Sequence, residues 1–142
     1  MTQLTTFVNR GTITESIHET KFLIKNYNYK TIFSSNNDQD LIYPRSAIKI
    51  FQAIPFINSG AHKKFKLSKK EIAMACSSHC GERKHLKILN KWIKKLKIDK
   101  KFLKCGIHNP FNLNSANKLL LSGQTPNELH NNCAGKHLAM IS

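Results

Sequence analysis

The sequence predicts an α+β protein, with strands at the N-terminus followed by several helices. Three observations carry this. Residues 4 to 34 are rich in Thr, Ile, Phe and Tyr, with turn signals at Arg10-Gly11 and Asn26 to Asn28. From Pro44 onward the apolar residues recur at helical spacing. Forty percent of the 142 residues are apolar, enough to build a core and to exclude wholesale disorder. The length suits one domain or a piece of one.

Each element follows in order. The segment FVNRGTITESIHETKFLIKNYNYKTIF reads as strands, and Ser34 to Asp40 as a polar loop. Ala47 to Ile57 contains only two polar residues, Lys49 and Gln52, and predicts a helix buried nearly all round. Pro55 should bend or end it, and Asn58-Ser59-Gly60 supplies stop chemistry. Ser68 and Glu71 form a capping-box pattern that opens a short helix ending near Cys76. The next helix runs from near Glu82 to about Lys97. At about 100° per residue, Leu86, Ile88, Leu89, Trp92, Ile93 and Leu96 share one half of its circumference. Lys84, Lys87, Lys91, Lys94, Lys95 and Lys97 share the other, which predicts a solvated lysine face. Shorter helices are expected at Lys100 to Lys104 and Ser115 to Leu121, and a last one starts near Cys133. That last helix stops at the chain terminus without a cap, so the sequence reads as cut mid-element.

Composition excludes several classes. The longest uncharged apolar stretch, Ile50 to Ala61, has 12 residues. A membrane-spanning helix needs about 20, so no membrane partner is expected. The start, MTQLTTFVNRG, lacks the pattern of a signal peptide, which points to the cytoplasm. Cysteines 76, 80, 105 and 133 match no zinc-finger spacing and are expected as free thiols, with Cys76 in the core. The net charge of +15 invites a second reading, a basic module binding nucleic acid or another anion. Composition argues against it. The 20 Lys, 15 Ile and 14 Asn are the skew of AT-rich coding DNA, and only three basic residues are Arg.

Four constellations can carry chemistry. In Ser46-Ala47-Ile48-Lys49, a spacing of three puts both side chains on one helical face. Desolvation disfavours a charged lysine, and a base near pH 7 needs a drop of about three units, or about 4 kcal/mol. The apolar helix around Lys49 could supply it, giving a serine nucleophile with a lysine base, the SxxK arrangement. The plainer alternative makes Ser46 a helix cap and Lys49 a snorkelling surface residue. A second match, Ser115 to Lys118, lies on an amphipathic helix. Ser77-Ser78-His79-Cys80-Gly81-Glu82 is a small-residue loop before a helix, suited to an anion or a substrate carboxylate. Cys133, Lys136 and His137 converge at a helix N-terminus. Cys105 and His108 offer a two-donor metal pair.

Taken together, PRSAIKIFQAIPFINSGA, LSKKEIAMACSSHCGE, CGIHNPF and LHNNCAGKHLAM resemble the thermolabile, Rhizobium-type class of L-asparaginases. The upstream NRGTITESIH resembles the first strands of that family, so the likeness runs from about Arg10-Gly11 to the last residue. The resemblance implies a fold similar to serine β-lactamases and DD-peptidases, a mixed sheet packed with helices. It implies hydrolysis of L-asparagine to L-aspartate and ammonia. Ser46 would be the nucleophile, Lys49 its proton acceptor and Ser78 a second active-site serine. Arg45 and His79 would shape the pocket or hold the substrate. Cys133 and Lys136 match a family site that can take a zinc ion, which the reaction does not require. Full-length relatives, homo-oligomeric, run to more than twice this length. Residues 1–142 would then be the N-terminal part of a single domain, inactive and aggregation-prone alone. The absent part would hold a second catalytic lysine and the remaining metal ligands. A third reading, penicillin recognition through SxxK, lacks nearby SDN or KTG motifs.

Overall fold

The computed structural model describes residues 4–35, 39 and 41–142. Most of the expected polar loop, residues 36–38 and 40, lies outside the described residues. The chain is mixed α and β and divides into two compact units, Met1–Tyr43 and Pro44–Ser142.

The first unit holds the strands. β1 (Leu4–Arg10) and β2 (Ile13–Thr20) form an antiparallel hairpin about the Arg10-Gly11 turn, with a bulge between Val8 and Asn9. β3 (Leu23–Lys25) and β4 (Thr31–Ser34) form a second antiparallel pair. The Asn26 side chain closes their turn by accepting the N–H groups of Asn28 and Lys30 at 3.0 and 2.9 Å, the local bonding that makes Asn a turn residue. The described strands thus pair as two separate two-stranded sheets and not as one mixed sheet. Phe7, facing Ile17 across the first hairpin, stays largely exposed, as does Phe33.

The second unit is helical. A 3-10 turn over Arg45–Ile48 leads into α1 (Lys49–Asn58), followed by α2 (Ala61–Lys64), α3 (Lys69–Cys76) and α4 (Arg83–Leu96). After a 3-10 turn at Lys100–Phe102 come α5 (Leu113–Leu121), a 3-10 turn at Glu128–His130 and α6 (Ala134–Met140). Among the described residues no helix is long and apolar enough to cross a membrane.

The core forms where α3 and α6 cross and where α1 and α4 close over them. Leu89 and Trp92 from α4 and Ala134 and Leu138 from α6 are fully buried. The Trp92 ring lies 5.6 Å from that of Phe56, within the range of favourable aromatic pairs. Its indole N–H donates to Ser142 Oγ at 3.2 Å, and that hydroxyl donates to the Leu138 carbonyl at 2.6 Å. Gly135 sets the spacing of α3 and α6. A Cβ there would lie 2.1 Å from the Met74 carbonyl oxygen.

Several expectations are corrected here. α1 is not buried all round: Ile50 and Phe51 are 63% and 65% exposed, and Ile54 and Ile57 also face outward. Only Lys49, Ala53 and Phe56 of α1 are buried. Pro55 does not end the helix, which runs on to Asn58. The carbonyl whose donor Pro55 removes belongs to Phe51, on that outward side. Cys76, expected in the core, is exposed, because the buried side of α3 is spent on Glu71, Met74 and Ala75.

Lys95 is a further correction, since it leaves the solvated lysine face. Its ammonium donates to Glu71 Oε2 at 2.6 Å and to the Lys66 carbonyl at 2.8 Å. Glu71 is buried within the expected capping box, where its carboxylate accepts the Ser68 N–H and hydroxyl. Burial alone would raise the Glu71 pKa, but the bonds from Lys95 and Ser68 outweigh it and hold the pKa below the usual value. This contribution to stability is present above the ordinary carboxylate range and is lost as pH falls through the depressed value.

Two outcomes are expected. Gly135→Ala should cost about 3 kcal/mol in urea denaturation, since the methyl meets backbone and not a movable side-chain tip. Lys95→Met should cost about 2 kcal/mol at pH 7, because it strands a buried carboxylate. The Lys95 deficit should shrink in acid as Glu71 takes up a proton; a deficit independent of pH would contradict the pairing.

Candidate active site

Ser46 lies in the 3-10 turn ahead of α1, and Lys49 is the first residue of α1. The residue before Ser46, Arg45, adopts a left-handed backbone with φ of 51°. This conformation is unfavourable for a residue with a side chain, by roughly 1–2 kcal/mol. Arg45 itself is exposed. The loop after α3 approaches from the other side and carries Ser77 and Ser78.

The three groups meet in a chain. Ser46 Oγ lies 2.8 Å from Ser78 Oγ. Lys49 Nζ donates to Ser78 Oγ at 2.7 Å and to the Ser77 carbonyl at 2.9 Å. The lysine that spacing assigned to Ser46 therefore bonds Ser78, which stands between the two. Lys49 is only 3% exposed, so its nitrogen cannot rely on water and takes its partners from this loop. Among the described residues no carboxylate pairs with it. Both serines are exposed, so the reactive end of the chain opens to solvent. The second SxxK pair, Ser115 and Lys118, lines a separate 380 Å³ cleft between α4 and α5, away from Lys49.

His79 follows Ser78 but turns inward and is 4% exposed. Its Nδ1 accepts the Gly81 N–H at 3.1 Å, which puts the ring proton on Nε2. That Nε2 is buried and completes no hydrogen bond of good geometry. Burial pushes the imidazole pKa down to about 4, assisted by His85, Lys49 and His108, with only the Asn131 carbonyl pulling the other way. Gly81 is required at the end of this bond. Its φ is +72°, and a Cβ would lie 2.9 Å from the Pro110 side chain.

Three more histidines repeat the arrangement. His85 Nδ1 accepts the Glu82 N–H at 3.2 Å, and His130 Nδ1 accepts the Asn127 N–H at 2.9 Å. His108 Nε2 accepts the Asn132 N–H at 3.1 Å, while its Nδ1 lies 2.6 Å from the Asn109 carbonyl oxygen. Burial lowers the His85 and His130 pKa values. Four rings thus serve as acceptors for backbone donors in these loops. Sequence reasoning missed them, since nothing in the residue order marks a histidine as an acceptor. Both His108 nitrogens are engaged, so the expected Cys105–His108 metal pair does not form.

At the last helix, Asn131 joins two loops. Its amide donates to the Cys105 carbonyl at 2.7 Å and accepts the Cys133 N–H at 2.8 Å. Cys133 and Lys136 are half-buried here, and the Cys105 thiol is pushed up by burial and by Cys133. Zinc takes three protein ligands even in open sites. Among the described residues no three His, Cys, Asp or Glu side chains gather. Cys133 and Lys136 supply two donors, so the residues present do not by themselves fit the ion.

A search of curated proteins returns no match. The family model for L-asparaginase II matches residues 7–142, which takes in every residue of the Ser46, Lys49 and Ser78 constellation. The chain belongs to the L-asparaginase II family.

Proposed function

We propose that the Ser46 centre hydrolyses the side-chain amide of L-asparagine, with Ser46 as nucleophile, Ser78 as relay and Lys49 as proton acceptor. The observation that carries this is the unbroken path from Ser46 Oγ through Ser78 Oγ to Lys49 Nζ, at 2.8 and 2.7 Å. Family membership supplies the substrate.

The chemistry balances along that path. Ser46 Oγ attacks the amide carbon as its proton passes to Ser78 Oγ, and the Ser78 proton passes to Lys49 in its amine form. The carbon–nitrogen bond breaks, and the leaving nitrogen takes the proton back through the same groups to depart as ammonia. Water then attacks the aspartyl ester, giving aspartate and restoring Ser46. Lys49 is buried and its nitrogen lies 2.7 Å from Ser78 Oγ, a distance suited to proton exchange with that hydroxyl.

Arg45, exposed beside the nucleophile, suits a contact with the substrate carboxylate. His79 is too buried to touch substrate and shapes the pocket through its loop. Strands followed by a helical unit with Ser-x-x-Lys at a helix start support a fold of the serine β-lactamase type. Cys133 and Lys136 would be partial zinc ligands, outside the reaction path.

The 142-residue chain is proposed to be inactive in turnover. Ser46 and Ser78 are open to water, and α1 leaves Ile50, Phe51 and Ile54 uncovered, so the closed surroundings that amide hydrolysis needs are lacking.

Labelling separates these claims. An asparagine-shaped diazoketone should alkylate Ser46 with loss of nitrogen, seen as a mass shift on the peptide containing it. Ser46→Ala should abolish the adduct, and Ser78→Ala should slow it about 100-fold. A label on another residue would overturn the assignment of the nucleophile. Ammonia release from asparagine by the chain alone, lost in Ser46→Ala, would overturn inactivity while keeping the nucleophile.

A further inference from the structure

We propose that His79 is the positioning residue of the Ser78 loop: its unprotonated Nδ1 latches the Gly81 N–H, and protonation releases the latch. This rests on the reading of Ser78 as part of the reactive centre.

The geometry gives the latch its leverage. Ser78, His79, Cys80 and Gly81 form one short loop between α3 and α4. Its beginning is fixed by Lys49, which holds the Ser77 carbonyl and the Ser78 hydroxyl. Its end is fixed by the Asn112 N–H donating to the Cys80 carbonyl and by the Gly81 N–H donating to His79. Gly81 packs on Pro110 with no room for a side chain, so the loop cannot shift on that side. His79 is therefore the one side chain of this loop that ties it to itself from inside.

A protonated ring cannot accept at Nδ1. Its new N–H would point at the Gly81 N–H, donor against donor. The groups facing the ring resist protonation from every direction: His85 from α4, Lys49 from α1 and His108 from the loop before α5. Only the Asn131 carbonyl favours the charged ring. Among the described residues no carboxylate acts on the ring, so formation of the imidazolium must move the loop rather than settle within it. Ser78 then loses its place between Ser46 and Lys49. The latch stays closed at neutral pH and opens as pH falls toward about 4.

Two substitutions test this. His79→Asn keeps an acceptor at the δ position that has no proton to gain. His79→Leu removes the acceptor. The first readout is hydrogen exchange of the Gly81 amide, which needs no reaction at Ser46. At pH 7 the Gly81 amide should be protected in the wild-type chain and in His79→Asn. In His79→Leu it should exchange at least tenfold faster, while the Leu89 and Trp92 amides stay protected. On acidification wild type should lose Gly81 protection before those core amides, and His79→Asn should keep it. The second readout is the rate of diazoketone labelling at Ser46. His79→Asn should label within threefold of wild type at pH 7 and should lack the acid decline that wild type shows relative to it. Rapid Gly81 exchange in wild type at pH 7, or equal losses in the Asn and Leu variants, would overturn the latch. Absence of labelling in every variant with the expected Gly81 exchange would overturn the proposed nucleophile and leave the latch standing.

Discussion

A lysine nitrogen removed from water must find partners within the protein, and Lys49 finds them in one place. The Ser77 carbonyl and the Ser78 hydroxyl accept its N–H groups at 2.9 and 2.7 Å. Leaving a buried amino group unpaired would cost about 1–3 kcal/mol, more than an ordinary packing contact returns. The start of α1 and the loop after α3 are therefore held together by the demand of one buried group. Ser46 comes to Ser78 as a consequence, because it precedes Lys49 by three residues in the same turn.

The surrounding scaffold serves that junction. Gly135 lets α6 sit against the Met74 carbonyl and fixes α3, whose end delivers Ser77. Glu71 and Lys95 tie the start of α3 to the last turn of α4. Imidazoles close the loops behind, each accepting a backbone N–H. His79 can accept only while uncharged, so the residue that ties the Ser78 loop at neutral pH makes it sensitive to acid. The open side is different in kind. The outward residues of α1 are large and apolar, and the site stands beside them exposed.

Much of this was legible in the residues. The strands, their turns, the Ser68–Glu71 box and the amphipathic α4 follow from local chemistry, which is why they stand where the sequence places them. The nearness of Ser46 and Lys49 at the start of α1 was legible as a spacing, but spacing could not reveal that Ser78 stands between them. That placement depends on the return of a loop some thirty residues later. Lys95 shows the limit of a helical wheel. It lies among five other lysines on the polar half, yet a buried carboxylate from α3 draws it in. Arg45 carries no mark of its left-handed backbone, and His79 none of its acceptor role, since both are fixed by tertiary contacts. α1 was misread because an apolar sequence records what a helix could bury and not what is present to bury it.

The relay is the claim on which the functional reading turns, and a double-mutant cycle tests it most directly. Ser46 labelling would be timed in wild type, Ser78→Ala, Lys49→Met and the double variant, each checked for cooperative unfolding. Groups acting in series give losses that do not multiply. A relay predicts that the double variant labels no more slowly than the slower single variant. Losses that multiply would mean that Ser78 and Lys49 act on Ser46 independently, and the proton path from Ser46 through Ser78 to Lys49 would be wrong.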